Sequence, residues 1–175
     1  MTVQTRTQVV PILSRGKRWR QPRFRAATAL AALVATLALP RGPSAETSVL
    51  LAVIAHPSVP AKALTRSELA SIFTRVTRAW KDGSAIRPLN LQPGSPERIA
   101  FDRAVLRMEP EQSGQYWVDR MVRGEEAAPK AIGKADIIAR LVPTLPGAIA
   151  YIPEGKVEDK VKVLAFVRDG KVVSP

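Results

Sequence analysis

The 175 residues contain no cysteine and a single histidine, His56. Without thiols the chain has no disulfide, no thiolate metal site and no cysteine nucleophile, a composition compatible with an oxidising compartment. One histidine also rules out the paired-histidine motifs of metal sites, and the carboxylates are scattered without ligand spacing. There is no glycine pattern for a nucleotide phosphate and no internal repeat. Neither a metal nor a cofactor is expected. A hydrolase would need a base beside its nucleophile, and His56 has no orienting acid near it in sequence, so no enzyme is expected either.

Acids are absent from residues 1–45, which carry eight of the 27 basic residues: Arg6, Arg15, Lys17, Arg18, Arg20, Arg23, Arg25 and Arg41. An apolar run from Ala26 to Leu39 follows the basic stretch, and Gly42-Pro43-Ser44-Ala45 supplies small residues for a cut. The run is short for a bilayer span and fits the apolar region of a secretory signal. We expect residues 1–45 to be a signal peptide cleaved near 45, with no membrane insertion afterwards and a periplasmic or secreted product. An uncleaved anchor is the other reading. Residues 46–175 then form one domain, in which 19 basic residues face 15 acids. The net +12 of the whole chain mostly reports the signal. A balance near +4, interspersed, is no nucleic-acid footprint, and none is expected as a partner.

Along that domain, strand and helix patterns alternate. Val49 to Ala55 is an apolar, β-branched run stopped by His56-Pro57, which predicts a strand buried on both faces. Thr65 and Glu68 are spaced as a capping box, with Leu64 and Leu69 as its hydrophobic staple, and Leu69, Ile72 and Phe73 form the apolar face of the helix. A turn at Asp82-Gly83 leads to Ile86–Leu91, in which Pro88 predicts an edge strand or a short one. Pro110 opens another helix whose apolar content is Tyr116, Trp117, Val118, Met121 and Val122. Ala135 to Val142 reads as a short helix closed by Pro143, Ala148 to Ile152 as a strand, and Val161 to Val173 as a hairpin turning at Asp169-Gly170. This alternation predicts an α/β fold, a three-layer sheet flanked by helices.

The stretch from Leu89 to Phe101 carries the main functional signal. A strand ends at Leu91, a Pro-Gly turn follows, Ser95 stands as N-cap, and Pro96 occupies the first helical position. Free N–H groups and the positive end of the macrodipole make such a junction a site for an oxyanion. Ile99, Ala100, Ala104, Val105 and Met108 give the helix its apolar face, leaving Glu97, Arg98, Asp102, Arg103 and Arg107 as surface charge. The candidate ligand-binding set is Gly94, Ser95 and Arg98, joined by His56 and Ser58 from a strand end. Plain alternatives stand beside it: Ser95 as a simple cap, His56 as a local hydrogen-bonding residue, and Arg98 paired with Asp102 four residues on.

Taken in order, Thr65-Arg66-Ser67-Glu68-Leu69 with Ile72-Phe73, Trp80-Lys81-Asp82-Gly83, Gly94-Ser95 before a helix, and Leu145-Pro146-Gly147-Ala148-Ile149-Ala150-Tyr151 resemble the phosphate-binding proteins of ABC transporters, in the type 2 periplasmic-binding-protein superfamily. The resemblance covers most of residues 46–175. It implies one lobe of a two-lobed binding fold, with phosphate or a related oxyanion held non-covalently, and an ABC transporter permease or a second lobe-bearing protein as partner. The chain departs from the family in its anion loop. Leu91 stands where an anion-pairing arginine is expected, Pro96 where a glycine donates its N–H, and Glu97 where a threonine donates its hydroxyl. Arg75 and Ala150 each replace a family glycine. Two functions follow as expectations: an exported solute-binding-like protein, or an envelope interaction or sensing module that keeps the fold without the ligand.

Overall fold

A computed structural model describes residues 49–175, so the expected signal lies outside the described residues. Six strands, β1 (Leu51–Ala55), β2 (Arg87–Leu91), β3 (Lys130–Ile132), β4 (Ala148–Pro153), β5 (Lys162–Arg168) and β6 (Lys171–Val173), form one mixed sheet in the order β3-β2-β4-β1-β5-β6. Four helices, α1 (Arg66–Phe73), α2 (Pro96–Phe101), α3 (Pro110–Val122) and α4 (Ala135–Leu141), accompany it. Every residue of β1 is buried, as is β4 from Ala148 to Ile152. Strands buried on both faces need cover on both sides, which is the α/β arrangement expected from the sequence.

β1 lies near the middle of the sheet but runs antiparallel to both its neighbours, β4 and β5, whereas β2 is parallel to β3 and β4. β2 is short, as Pro88 suggests, yet it is not an edge strand. β3, only three residues long and without a strand pattern of its own, supplies the edge. Pro88 is tolerated because β3 pairs only with Leu89 to Leu91 and stops short of it.

α1 begins as its sequence dictates. The Thr65 hydroxyl oxygen accepts from the Glu68 N–H at 3.3 Å, and Glu68 accepts from the Thr65 N–H at 2.8 Å. Leu69, Ile72 and Phe73 are its buried residues. After Phe73 the chain reverses at Arg75, which holds φ 62°, the left-handed conformation that a glycine adopts without strain. Arg75 is held there by its ion pair with Glu126 at 2.9 Å and a hydrogen bond to the Ile86 carbonyl.

α3 divides its apolar content between two sides. Its packing face is Ser113, Tyr116, Trp117 and Arg120, at i, i+3, i+4 and i+7. The Tyr116 hydroxyl and an Arg120 guanidinium N–H both point to the Thr74 carbonyl, at 3.4 and 3.1 Å. Val118, Met121 and Val122 lie on the outer side, 48%, 69% and 79% exposed. Periodicity admits either face here, because Arg120 packs by its aliphatic stem and places its cation 5.6 and 5.8 Å from the Tyr116 and Trp117 rings.

Candidate functional site

The strand-loop-helix junction forms as its residues predict. β2 ends at Leu91, Gly94 takes φ 83°, and Ser95 is the extended N-cap whose Oγ accepts from the Arg98 N–H at 3.2 Å. Pro96 occupies the first turn of α2. Gly94 is exposed, and Ser95 and Glu97 are half-buried. Gly94 meets open space where a side chain would begin, so its role is the positive φ.

Two of the expected surface charges are inside. The Arg98 and Asp102 side chains are 9% and 4% exposed, and Arg98 Nε donates to Asp102 Oδ2 at 2.7 Å. Arg98 Nη1 reaches the Leu91 carbonyl and Nη2 the Ser113 hydroxyl, each at 3.4 Å. Arg98 therefore ties the end of β2, α2 and α3 together. Asp102 Oδ1, although buried, has no hydrogen-bond partner. Burial pushes the Asp102 carboxyl above its ordinary range, and the Arg98 charge opposes that rise. Helical spacing assigned this pair to the surface, yet Arg98 and Asp102 lie four residues apart on the face that also buries Phe101, and only from Asp102 onward does a π turn follow, residues Asp102–Leu106, ending at Arg107 with φ 57°. The wider turn rotates the side chains that follow, so the 3.6-residue pattern loses its register. The i, i+4 spacing did signal the pairing itself.

Behind the pair, Tyr151 of β4 is fully buried, stacked on Phe101 at a centroid distance of 3.8 Å and an interplanar angle of 6°. Phe73 meets Phe101 edge-on at 4.6 Å. The Leu91 N–H donates to the Tyr151 hydroxyl at 3.4 Å. Asp102, Ser113 and Tyr151 thus complete the polar surroundings of Arg98, and of the three only Asp102 had a signal in sequence spacing.

His56 and Ser58 do not join this group. β1 runs antiparallel to β4, and β2 runs parallel to it, so the carboxyl end of β1 lies at the end of the sheet where β2 begins. A five-residue strand, roughly 17 Å of chain, separates that end from the Leu91 end. The rule that α/β ligands gather at the carboxyl ends of strands applies to parallel strands, and β1 is not one of them. His56 Nδ1 sits 2.7 Å from the Ser58 hydroxyl and also accepts the Ser58 N–H at 3.1 Å, a local turn. Ser58 opens instead on a hollow of about 230 Å3 with Asp82, Ser84 and Arg87.

Beside the junction is a cavity of about 240 Å3 lined by Pro93, Gly94, Arg98, Asp102, Ser113 and Trp117, among others. Among the described residues, no group of three histidine or acidic side chains is placed to hold a metal ion.

The fold is similar to part of several solved substrate-binding proteins. Solved structures similar to it include a putative phosphate ABC transporter substrate-binding protein from Clostridium perfringens with bound phosphate, 24% identical, with a TM-score of 0.53 over 65% of this chain and 43% of that one. An ABC-type phosphate transport receptor from Vibrio cholerae is 19% identical, with a TM-score of 0.52 over 66% and 46% of the two chains. PstS from Borrelia burgdorferi is 16% identical, with a TM-score of 0.52 over 67% and 47%. These neighbours are substrate-binding proteins, not enzymes, and the chain matches under half the length of each. No protein-family model matches the sequence, and no curated protein does.

Proposed function

We propose that this chain is an exported, one-lobe solute-binding-like protein that takes phosphate or a related oxyanion non-covalently at residues 92–95 and the start of α2. The observation that carries this reading is the junction itself. A glycine at φ 83° and a serine cap stand at the end of β2, in a fold similar to part of solved phosphate-binding proteins. The donors there are the Ser95 hydroxyl and the backbone N–H groups of the turn, with Arg98 behind them as a buried charge. Arg98 acts at one remove because its N–H groups already serve Asp102, Leu91 and Ser113. A single lobe leaves such a ligand wet, and a second lobe closing over it would raise the affinity. Export follows from the basic and apolar segments within residues 1–45, and the partner for uptake is a transporter permease or a protein bearing the other lobe.

One observation favours the second reading, an interaction or sensing module. Glu97 places a carboxylate in the first turn of α2, and Asp102 neutralises the nearest arginine. Titration calorimetry of the full chain with phosphate and sulfate at low ionic strength decides between them. Saturable phosphate binding, weakened by Ser95→Ala and strengthened about fivefold or more by Glu97→Thr, supports binding at the junction. Absence of heat at millimolar phosphate in both the natural chain and Glu97→Thr overturns it and leaves the module.

A further inference from the structure

Arg98 and Asp102 are an unusual structural pair. A guanidinium held by a carboxylate for stability alone commonly engages both oxygens side by side. Here a single short bond joins Nε to Oδ2, while the other carboxylate oxygen is buried without a donor. The guanidinium completes its contacts with long bonds of 3.4 Å, to a backbone carbonyl and to the Ser113 hydroxyl. Arg98, Asp102 and Ser113 all lie on the wall of the 240 Å3 cavity between α2 and α3, which is otherwise mostly apolar. A tetrahedral oxyanion is far smaller than that volume. It would offer acceptors to the Nη groups of the Arg98 fork, which the single Nε–Oδ2 bond leaves on long contacts.

We infer that Asp102 is a built-in competitor for Arg98: its carboxylate holds the guanidinium in place of an external oxyanion, and removing its charge opens the α2–α3 cavity to inorganic phosphate. This deepens the oxyanion reading above and rests on it for the class of ligand. It differs in place, since the competing site is the cavity wall and not the turn at Ser95. The repulsion that Asp102 exerts on a second anion at Arg98 is the gate. Two negative groups within a few ångströms in a partly dehydrated site exclude each other.

The test is the full chain carrying Asp102→Asn, compared with the natural chain by thermal melting and calorimetry in phosphate, with sulfate and chloride alongside. Asparagine keeps the size of the side chain and loses the charge. The expected result is phosphate affinity raised about tenfold or more, and a melting temperature that climbs with phosphate in the variant far more than in the natural chain. Adding Arg98→Gln to Asp102→Asn should abolish the gain. A purely structural pair predicts a variant of altered stability with no phosphate dependence, and that result overturns the inference. So does a variant that stays unfolded in phosphate, because an anion that replaced the carboxylate would restore it. Ser95→Ala separates this from the reading of the junction. If Asp102→Asn gains phosphate binding that Ser95→Ala leaves untouched, the cavity holds the anion and the junction does not. If the natural chain binds phosphate through Ser95 while Asp102→Asn gains nothing, the junction stands and the competitor falls.

Discussion

Trp80 donates its indole N–H to the carbonyl oxygen of Gly147 at 3.2 Å, joining two motifs that lie 67 residues apart. The same carbonyl accepts the Arg87 N–H at 3.0 Å, so the turn at Gly147 fixes the starts of β2 and β4 side by side. Gly147 has φ 76°, and a Cβ placed there would sit 2.2 Å from the Ala85 carbonyl oxygen. Both the backbone conformation and the close approach require glycine. Gly147→Ala should therefore lower stability by about 3 kcal/mol or more, through strain and a displaced Ala85 backbone. Urea unfolding measures it, and a loss under about 1 kcal/mol would mean that the turn rearranges freely.

The capping box at α1 makes a prediction with a pH signature. Hydrogen bonds from the Thr65 backbone and hydroxyl hold the Glu68 carboxyl below its ordinary range. A lowered folded-state value contributes stability that is present above the unfolded value and lost as pH falls through the folded one. Thr65→Ala should cost about 1 kcal/mol near neutrality, and the gap from the natural chain should shrink on acidification through the carboxylate range. Paired urea titrations at neutral and acid pH would show it. A gap that is constant with pH would assign the effect to the cap oxygen alone.

The aromatic cluster of Phe73, Phe101 and Tyr151 is the joint between two helices and the central sheet. Phe101 touches both other rings and has no exposed surface. Phe101→Ala should remove about 3 to 5 kcal/mol, and Phe101→Leu should be milder because it leaves less empty volume. If alanine and leucine prove equally harmful, the ring geometry and not the filled volume is what matters.

Tyr151 should resist ionisation. Burial raises its phenol well above the ordinary tyrosine value, with the Arg98 charge opposing the rise. The folded-state value is raised, so the associated stability is full below the unfolded value, about 10, and is lost as pH rises through the folded one. In a Tyr116→Phe background, tyrosinate absorbance should appear only together with loss of tertiary structure. Ionisation of Tyr151 in a chain that remains folded would show that water reaches the hydroxyl.

Local chemistry made much of this chain legible. The capping box at Thr65, the cap at Ser95 with Pro96 behind it, and the apolar runs of β1 and β4 depend on neighbouring residues, and they form as their sequence directs. Short-range patterns could not show which face of α3 packs. Val118, Met121 and Val122 are apolar enough to suggest one side, while the stem and charge of Arg120 and the rings of Tyr116 and Trp117 took the other. β3 escaped notice because three residues carry too little alternation to stand out from a loop.

By itself, the sequence determined the class of fold, the junction at Gly94 and Ser95, and the resemblance of its ordered motifs to phosphate-binding proteins, because each depends on residues close together or on their order. The tertiary structure alone decided who meets whom at the site. It sent His56 and Ser58 to the far end of the sheet, since strand direction is settled by pairing between distant segments and not within β1. It also turned Arg98 and Asp102 inward, since the side of α2 that packs is decided by Phe101 meeting Phe73 and Tyr151 from distant parts of the chain. Burial and direction are properties of the assembled sheet, and no stretch of chain carries them alone.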